Sequence, residues 1–141
     1  MAEAVLHDLV QKAGLADKIT VDSAGVGRWH VGERAHSGTL ALLRQNNIAY
    51  SGRARQIVTD DLATFDYVLA VDRMTYNDLS RFGLPEYGEV SLFLKWARES
   101  GLTAVDEVPD PYSDGSFDRT YELVTRGCRA LLAHIRAAHG V

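Results

Sequence analysis

Cysteine is nearly absent from this sequence, whose 141 residues include only Cys128. A single thiol excludes an intramolecular disulfide framework and any zinc site built from several cysteines. This scarcity favours a reducing, cytoplasmic setting. The five histidines are scattered without the paired spacing of metal ligands, so the sequence predicts no metal site and no cofactor.

Clusters of basic residues and a signal sequence are lacking as well. The amino terminus contains Glu3, His7 and Asp8, where a secretory signal would carry a basic stretch followed by an apolar one. The formal charge is only -4 and the basic residues never run together. We therefore expect neither nucleic acid nor a membrane among the partners of this protein.

The pattern of apolar residues predicts helices alternating with strands. Helical spacing appears over residues 5–13, 40–43, 74–81 and 117–135, and Thr59 with Asp60 and Asp61 resembles a helix cap. Strands are predicted at 19–22, 66–71 and 90–94, although 95–97 is also compatible with a helix, and 106–115 is predicted to be a loop. This alternation predicts one α/β domain over residues 1–141, with a parallel sheet flanked by helices on both faces.

Asp110 is a candidate proton donor, because it precedes Pro111 in an acidic loop that also contains Asp106 and Glu107. Neighbouring negative charges favour the protonated carboxyl group, and a protonated carboxyl can give its proton to a leaving group. On these residues alone an acidic surface turn is the alternative, since Asp followed by Pro is common in turns.

Other candidates lie in loops or at the ends of predicted strands. Trp29 follows a glycine-rich stretch, where an aromatic side chain either lines a site or folds back over the core. Ser23 and Asp72 each follow a predicted strand, and the carboxyl ends of parallel strands meet at one edge of the sheet. Asp72 is also a possible helix cap. Cys128, on the inner face of the last helix, is interpreted as a buried and unreactive thiol.

Seven motifs in a fixed order carry a family resemblance. They are AEAV at 2–5, DSAG at 22–25, WHVGE at 29–33, RARQ at 53–56, FDYVL at 65–69 with DR at 72–73, DPY at 110–112 and GCRALL at 127–132. In this order they resemble the low-molecular-weight protein tyrosine phosphatases along the whole chain.

The resemblance implies a catalytic loop that this sequence does not contain. In the family a first strand leads into a Cys-x5-Arg-Ser-Pro loop, whose backbone amides and arginine hold the phosphate while the thiolate attacks phosphorus. This sequence begins at the residue that should follow that proline, so we expect an N-terminally incomplete domain. The absent strand would lie inside a four-stranded parallel sheet, between 19–22 and 66–71. Its loss is expected to leave a slot in the core and to lower stability.

The resemblance also assigns roles to residues that are present. It implies hydrolysis of a phosphotyrosine protein or a small aryl phosphate through a cysteinyl-phosphate intermediate. Asp110 would protonate the leaving oxygen and then activate water. Trp29 and Tyr112 would form walls of the substrate cleft, and Ser23 and Asp72 would support the phosphate loop.

Two departures from the family pattern bear on the site. Gly52 stands where many relatives carry a histidine that braces the loop, and Ser113 stands where they carry a second aromatic residue. An inactive relative that binds phosphotyrosine or a partner remains an alternative function. An arsenate reductase would need further cysteines. The sequence does not indicate an oligomeric state.

Overall fold

The computed structural model describes residues 1–83 and 88–141. The elements in the described part are α1 (Ala2–Lys12), α2 (Ser37–Gln45), α3 (Thr59–Thr64), β1 (Tyr67–Ala70), α4 (Arg73–Ser80), β2 (Glu89–Leu92), α5 (Lys95–Glu99), α6 (Pro111–Asp114) and α7 (Phe117–His139). The two strands pair in parallel, from Tyr67 opposite Glu89 to Ala70 opposite Leu92. None of the helices in these residues is long and apolar enough to cross a lipid bilayer.

Both faces of the sheet are covered, because successive side chains of a strand point to opposite sides. On one face Tyr67 and Leu69 pack against the main buried cluster, which α1, α5 and α7 build. On the other face Val68 and Ala70 pack with Leu79 of α4. The predicted α/β class, with a parallel sheet flanked by helices on both faces, is confirmed.

Helices α1 and α7 lie side by side and run in the same direction. At one end the Sγ atom of Cys128 lies 3.6 Å from the carbonyl oxygen of Ala2. Toward the other end Val10 and Leu132 pack in one buried cluster. Gly14 follows the end of α1 and adopts a left-handed φ of 70°, which favours glycine and stops the helix.

The strands run opposite to α7. At the start of β1 the Tyr67 hydroxyl lies 3.0 Å from Nε2 of His139, near the end of α7. Just after β2, Phe93 lies so close to Gly127 that a side chain at this glycine would overlap the phenyl ring. The carboxyl ends of both strands therefore point toward the N-terminal end of α1.

The strand predicted at 19–22 is wrong for this structure. These residues have no regular secondary structure, and the nearest pairing is an isolated parallel bridge between Gly25 and Gln56. A strand requires a hydrogen-bonded neighbour, and Thr20, Val21 and Asp22 form no backbone hydrogen bond with any other described residue. The β-branched composition of residues 19–22 favours a strand, but it does not indicate whether a neighbouring strand is there to pair with.

Smaller differences concern element ends. The loop predicted at 106–115 contains the single turn α6, and the ambiguous stretch 95–97 lies in α5. Of the three residues predicted to form a helix cap, Thr59 is the first residue of α3. The side chain of Asp61 provides the cap, since it accepts a hydrogen bond from the Val58 N–H at 2.8 Å. The other predicted helices and strands are present with ends shifted by a few residues.

Candidate active site

A cleft of about 640 Å³ separates residues 18–26 from β1. Its walls are largely apolar and include Ile19, Val21, Leu69 and Leu131. The first turn of α1 also lines it. A slot is therefore present at the position that the sequence analysis predicted, between residues 19–22 and the strand that follows Asp66.

The N-terminal end of α1 opens into this slot with no side chain capping its first turn. The first N–H groups of a helix have no partner within the helix, and the helix dipole places partial positive charge there. Such an end stabilises a phosphate dianion and also a thiolate. The slot and the helix end therefore meet at the place where an anion is best accommodated.

Ser23 is held against this helix end by Glu3. The Oγ atom of Ser23 donates a hydrogen bond of 3.2 Å to Oε2 of Glu3, and the Tyr50 hydroxyl donates to the same oxygen. Burial, together with the hydrogen bond to Glu3, raises the pKa of Tyr50 to about 12. The sequence analysis missed the roles of Glu3 and Tyr50, because no local pattern links residues 47 positions apart.

Arg55 fixes the wall of the slot next to Ser23. Its Nε atom lies 3.1 Å from Oδ2 of Asp22, and its Nη1 and Nη2 atoms lie 3.0 and 3.1 Å from the two carboxylate oxygens of Asp61. The hydrogen bonds from Arg55 lower the pKa of Asp61. Through its bidentate pair with Asp61 and its bond to Asp22, Arg55 ties the start of α3 to the segment that carries Ser23.

Asp72 acts as a helix cap in the structure. Its Oδ1 atom accepts a hydrogen bond of 2.8 Å from the Thr75 N–H at the start of α4. Val71 and Thr75, on either side of it, line the slot. The Val71 carbonyl oxygen accepts a hydrogen bond of 2.8 Å from the Val108 N–H, which brings the loop containing Asp110 to the carboxyl end of β1.

Asp110 is exposed and caps the short helix α6. Its Oδ1 atom accepts a hydrogen bond of 2.9 Å from the Tyr112 N–H. Of its acidic neighbours, Asp106 forms ion pairs with Arg73 and with Arg98, the latter at 2.9 Å. Both interpretations of the Asp-Pro sequence fit this geometry: it is a surface turn, and its carboxyl group is open to a bound molecule.

Two aromatic side chains are exposed, those of Tyr112 in α6 and of Trp29 in the segment before α2. Tyr112 is 66% exposed, and its ring meets the edge of the His36 ring at 4.7 Å between centroids. His36 in turn stacks on Phe117 at 5.1 Å. Trp29 is 83% exposed, so the alternative that it folds back over the core is wrong.

The predicted residues are only partly brought together. Ser23 lines the slot, and Asp72 lies at its rim between two lining residues. Asp110 and Tyr112 share one turn of chain. Within residues 1–83 and 88–141 no hydrogen bond or ring contact joins Trp29 to the other four. His36, which positions Tyr112, was missed because a lone histidine in a loop gives no distinguishing signal.

Cys128 is buried in the core, as the sequence analysis expected. Burial raises the pKa of its thiol to about 12, which leaves very little thiolate at neutral pH. In the part of the chain that the structure describes, no group of three His, Cys, Asp or Glu side chains is arranged to hold a metal ion.

Known proteins share this sequence and fold. Residues 1–140 match the family model described as low molecular weight phosphotyrosine protein phosphatase. The low molecular weight protein-tyrosine-phosphatase YfkJ of Bacillus subtilis (strain 168) is 41% identical over 138 residues, covering 96% of this chain and 86% of the relative. The crystal structure of YfkJ has a TM-score of 0.88 at 37% identity, covering 97% of this chain and 86% of that one.

A crystal structure described as a drosophila arginine phosphatase is also similar, with a TM-score of 0.85 at 27% identity. The match covers 96% of this chain and 88% of that chain. The predicted resemblance is confirmed, and these relatives do not favour an inactive binding protein over a phosphatase.

Proposed function

Because this chain belongs to the low molecular weight phosphotyrosine protein phosphatase family, we propose that residues 1–141 act as one phosphatase domain with Asp110 as its general acid. The family hydrolyses phosphomonoesters of tyrosine, and we take phosphotyrosine proteins and small aryl phosphates as the substrates. The single buried thiol suits a reducing compartment, so we propose a cytoplasmic location.

The hydrogen bond between Val108 and Val71 carries this proposal. It holds the loop leading to Asp110 at the carboxyl end of β1, the end toward which the N-terminal end of α1 also opens. A phosphate bound at the helix end would then lie on the same side of the sheet as the acid. Ser23 and Asp72, on the wall and at the rim of the slot, support the loop that holds this phosphate.

Cys128 is not the nucleophile, because its thiol is buried and its pKa is raised to about 12. The attacking thiolate belongs to a cysteine placed at the N-terminal end of α1, where the helix end lowers a thiol pKa. The thiolate forms a bond to phosphorus while the bond from phosphorus to the tyrosine oxygen breaks. Asp110 donates its proton to that oxygen.

The second half of the reaction uses the same carboxyl group as a base. The Asp110 carboxylate accepts a proton from water, and the resulting hydroxide oxygen bonds to phosphorus while the sulfur–phosphorus bond breaks. Inorganic phosphate leaves, and the thiolate is regenerated. Exposure of Asp110 suits this exchange with water, because among the described residues its carboxyl group accepts a side-chain hydrogen bond from the Tyr112 N–H alone.

Trp29 and Tyr112 make an aromatic substrate ring the best fit. Both side chains are exposed, and the contact with His36 holds Tyr112 in place. Aromatic faces stack on phenyl rings, and they also stack on a planar guanidinium group. Phosphoarginine is therefore the second candidate substrate, in line with the arginine phosphatase of similar fold.

The test uses this chain joined at Met1 to a segment that carries an apolar strand and a Cys-x5-Arg-Ser-Pro loop. Turnover of p-nitrophenyl phosphate, phenyl phosphate, phosphotyrosine and phosphoarginine is then compared. We expect thiol-dependent hydrolysis with the aryl phosphates preferred. Faster turnover of phosphoarginine than of the aryl phosphates would make phosphoarginine the preferred substrate. An inactive protein that still binds phosphotyrosine would support the binding-protein alternative.

The Asp110→Asn variant tests the loss of the proton donor without the loss of the helix cap. The amide oxygen of asparagine still accepts the hydrogen bond from Tyr112, but the side chain no longer exchanges a proton. We expect kcat to fall about 10²-fold or more with phenyl phosphate, and less with p-nitrophenyl phosphate, whose leaving group needs little protonation. Asp110→Ala should lose the same activity and the cap as well. An Asp110→Asn protein of normal kcat would remove Asp110 from the mechanism.

A further inference from the structure

Positive charge is concentrated in one stretch of this chain. Residues 25–58 contain a single acidic residue, Glu33, and five arginines, which are Arg28, Arg34, Arg44, Arg53 and Arg55. The chain as a whole has a formal charge of -4. A basic stretch within an acidic protein indicates a surface that attracts an anionic partner.

The loop of residues 25–34 is fastened at both ends to segment 53–57. At one end the Gly32 N–H donates to the Ala54 carbonyl oxygen at 2.8 Å. At the other end the Gly25 N–H donates to a carbonyl oxygen of the same segment at 2.9 Å. Compact loops whose ends are held together in this way frequently carry function.

Arg34 and Arg53 stand side by side where the loop and the segment meet. The two residues form an isolated antiparallel bridge. A hydrogen bond of 2.8 Å from the Ala54 N–H to the Glu33 carbonyl oxygen flanks the bridge, which makes Arg34 and Arg53 a non-hydrogen-bonded pair. Side chains of such a pair lie on one face and come closest together. Like charges placed opposite each other oppose folding, and a bound anion would relieve this repulsion.

The guanidinium groups of this basic pair have few partners within the protein. Arg53 donates from Nη1 to a backbone carbonyl oxygen at 3.0 Å. Within residues 1–83 and 88–141 the side chains of Arg28 and Arg34 form neither a hydrogen bond nor an ion pair, and all three arginines are exposed. Glu33 bonds instead to Nδ1 of His30 at 2.8 Å. The three arginines are therefore open to an outside anion.

The basic pair lies beside the candidate active site. Ala54 and Arg55 direct backbone groups to opposite ends of the loop, which is the alternation of extended backbone. Arg55 lines the slot, and Arg53 precedes it by two residues, so their side chains point to the same side about 7 Å apart. Within the loop, Arg28 directly precedes Trp29, the proposed wall of the substrate cleft.

We propose that Arg34 and Arg53, assisted by Arg28, bind acidic side chains that flank phosphotyrosine in a protein substrate. This inference rests on the proposed phosphatase function and narrows its substrate class. A guanidinium group binds a carboxylate through two parallel N–H···O bonds. Two neighbouring guanidinium groups offer more donors than one carboxylate uses, so several aspartates or glutamates fit better than one. A small aryl phosphate has no flanking residues and gains nothing from these arginines.

The first test measures binding by the chain as it stands, without catalysis. The probe is a fluorescein-labelled peptide whose single tyrosine is flanked by aspartates and glutamates, and the control peptide has serines in their place. We expect saturable binding of the acidic peptide alone by fluorescence anisotropy at low ionic strength. Added sodium chloride should weaken it, because exposed charges are screened within about 10 Å at 0.1 M salt.

Matched protein variants locate this binding. Arg34→Ala and Arg53→Ala should each weaken it about fivefold, the upper range for an exposed ion pair. Arg129→Ala removes the same charge at an exposed position on α7 and should leave it unchanged. Neither of the first two changes should lower the melting temperature, because each removes a repulsion between like charges.

The second test uses the joined phosphatase and two phosphotyrosine peptides, one with acidic and one with neutral flanks. In the double variant with Arg34→Ala and Arg53→Ala, KM for the acidic peptide should rise about tenfold. Its kcat and the turnover of p-nitrophenyl phosphate should not change, because these contacts are the same in the ground state and the transition state. An equal loss with all substrates would indicate structural damage and contradict the proposal.

Three binding results would also overturn the inference. They are absence of binding by the acidic peptide, an equal effect of Arg129→Ala, and equally tight binding of a short thymidine oligonucleotide, which would show an unselective anion surface. If a variant fails to fold, the comparison of the two peptides on the unmodified chain decides the question. An inactive joined protein that still binds the acidic peptide through these arginines would contradict the proposed phosphatase function and not this surface.

Discussion

The Tyr50 hydroxyl donates a hydrogen bond to the carboxylate of Glu3, which ties the segment before Gly52 to the first turn of α1. The ring of Tyr50 occupies the space directly above Gly52, where an added Cβ would overlap the hydroxyl. Glycine at position 52 thus leaves room for the ring of Tyr50, whose hydroxyl holds the carboxylate of Glu3.

Gly52→Ala should destabilise the protein by displacing Tyr50. Gly52 is not among the glycines of positive φ, so the cost of the change is steric and not conformational. We expect a loss of about 1–3 kcal/mol in the free energy of unfolding, measured by urea denaturation. In a Tyr50→Ala background the same change should cost nothing, because the overlapping atoms are gone. Additive effects of the two substitutions would contradict this contact.

The stability of the protein should fall at high pH through Tyr50. Burial, assisted by the hydrogen bond to Glu3, raises the pKa of Tyr50 from 10.0 to about 12. Between these values the folded protein keeps a proton that the unfolded chain loses. The contribution of Tyr50 to stability is thus fully present below pH 10 and is lost as the pH rises toward 12.

The measurement compares the original protein with Tyr50→Phe by urea denaturation between about pH 8 and pH 12. The advantage of the original protein should shrink as the pH rises, because phenylalanine does not titrate. Burial also raises the pKa of Tyr67. Because Tyr67 is present in both proteins, its effect on stability cancels when the two are compared. A difference that stays constant with pH would show that the proton on Tyr50 does not contribute.

Cys128 should be inert toward thiol reagents in the folded protein. Its side chain is fully buried and its pKa is raised to about 12 by that burial. We expect reaction with a disulfide reagent to be slow in buffer and fast in urea. Cys128→Ala should cost about 1 kcal/mol of stability through a small cavity without lowering the activity of the joined phosphatase. Rapid modification of the folded chain would be inconsistent with this burial.

Local features of the fold were predictable from the sequence. The apolar stripe of α7 and the buried run of β1 depend on short-range periodicity, which is visible without knowing any neighbour. Residues 19–22 show the limit of this approach. Their composition favours a strand, but a strand exists only with a partner beside it, and partners are a property of the whole chain.

For the candidate site, the sequence names residues but not their geometry. The order of motifs singled out Asp110, Trp29, Tyr112, Ser23 and Asp72, but nothing local indicated which of them meet. The pairing of Glu3 with Tyr50 depends on packing between elements far apart in sequence. The hydrogen bond that holds the Asp110 loop against β1 joins backbone groups, which every residue carries, so no side-chain pattern reports it.

The apolar cleft beside β1 also has a thermodynamic consequence for any molecule that binds in it. A ligand that binds only the folded state raises the free energy of unfolding in proportion to the logarithm of its concentration, by about 2.7 kcal/mol at one hundred times its dissociation constant. The melting temperature of the chain would therefore rise with the concentration of a ligand of this cleft.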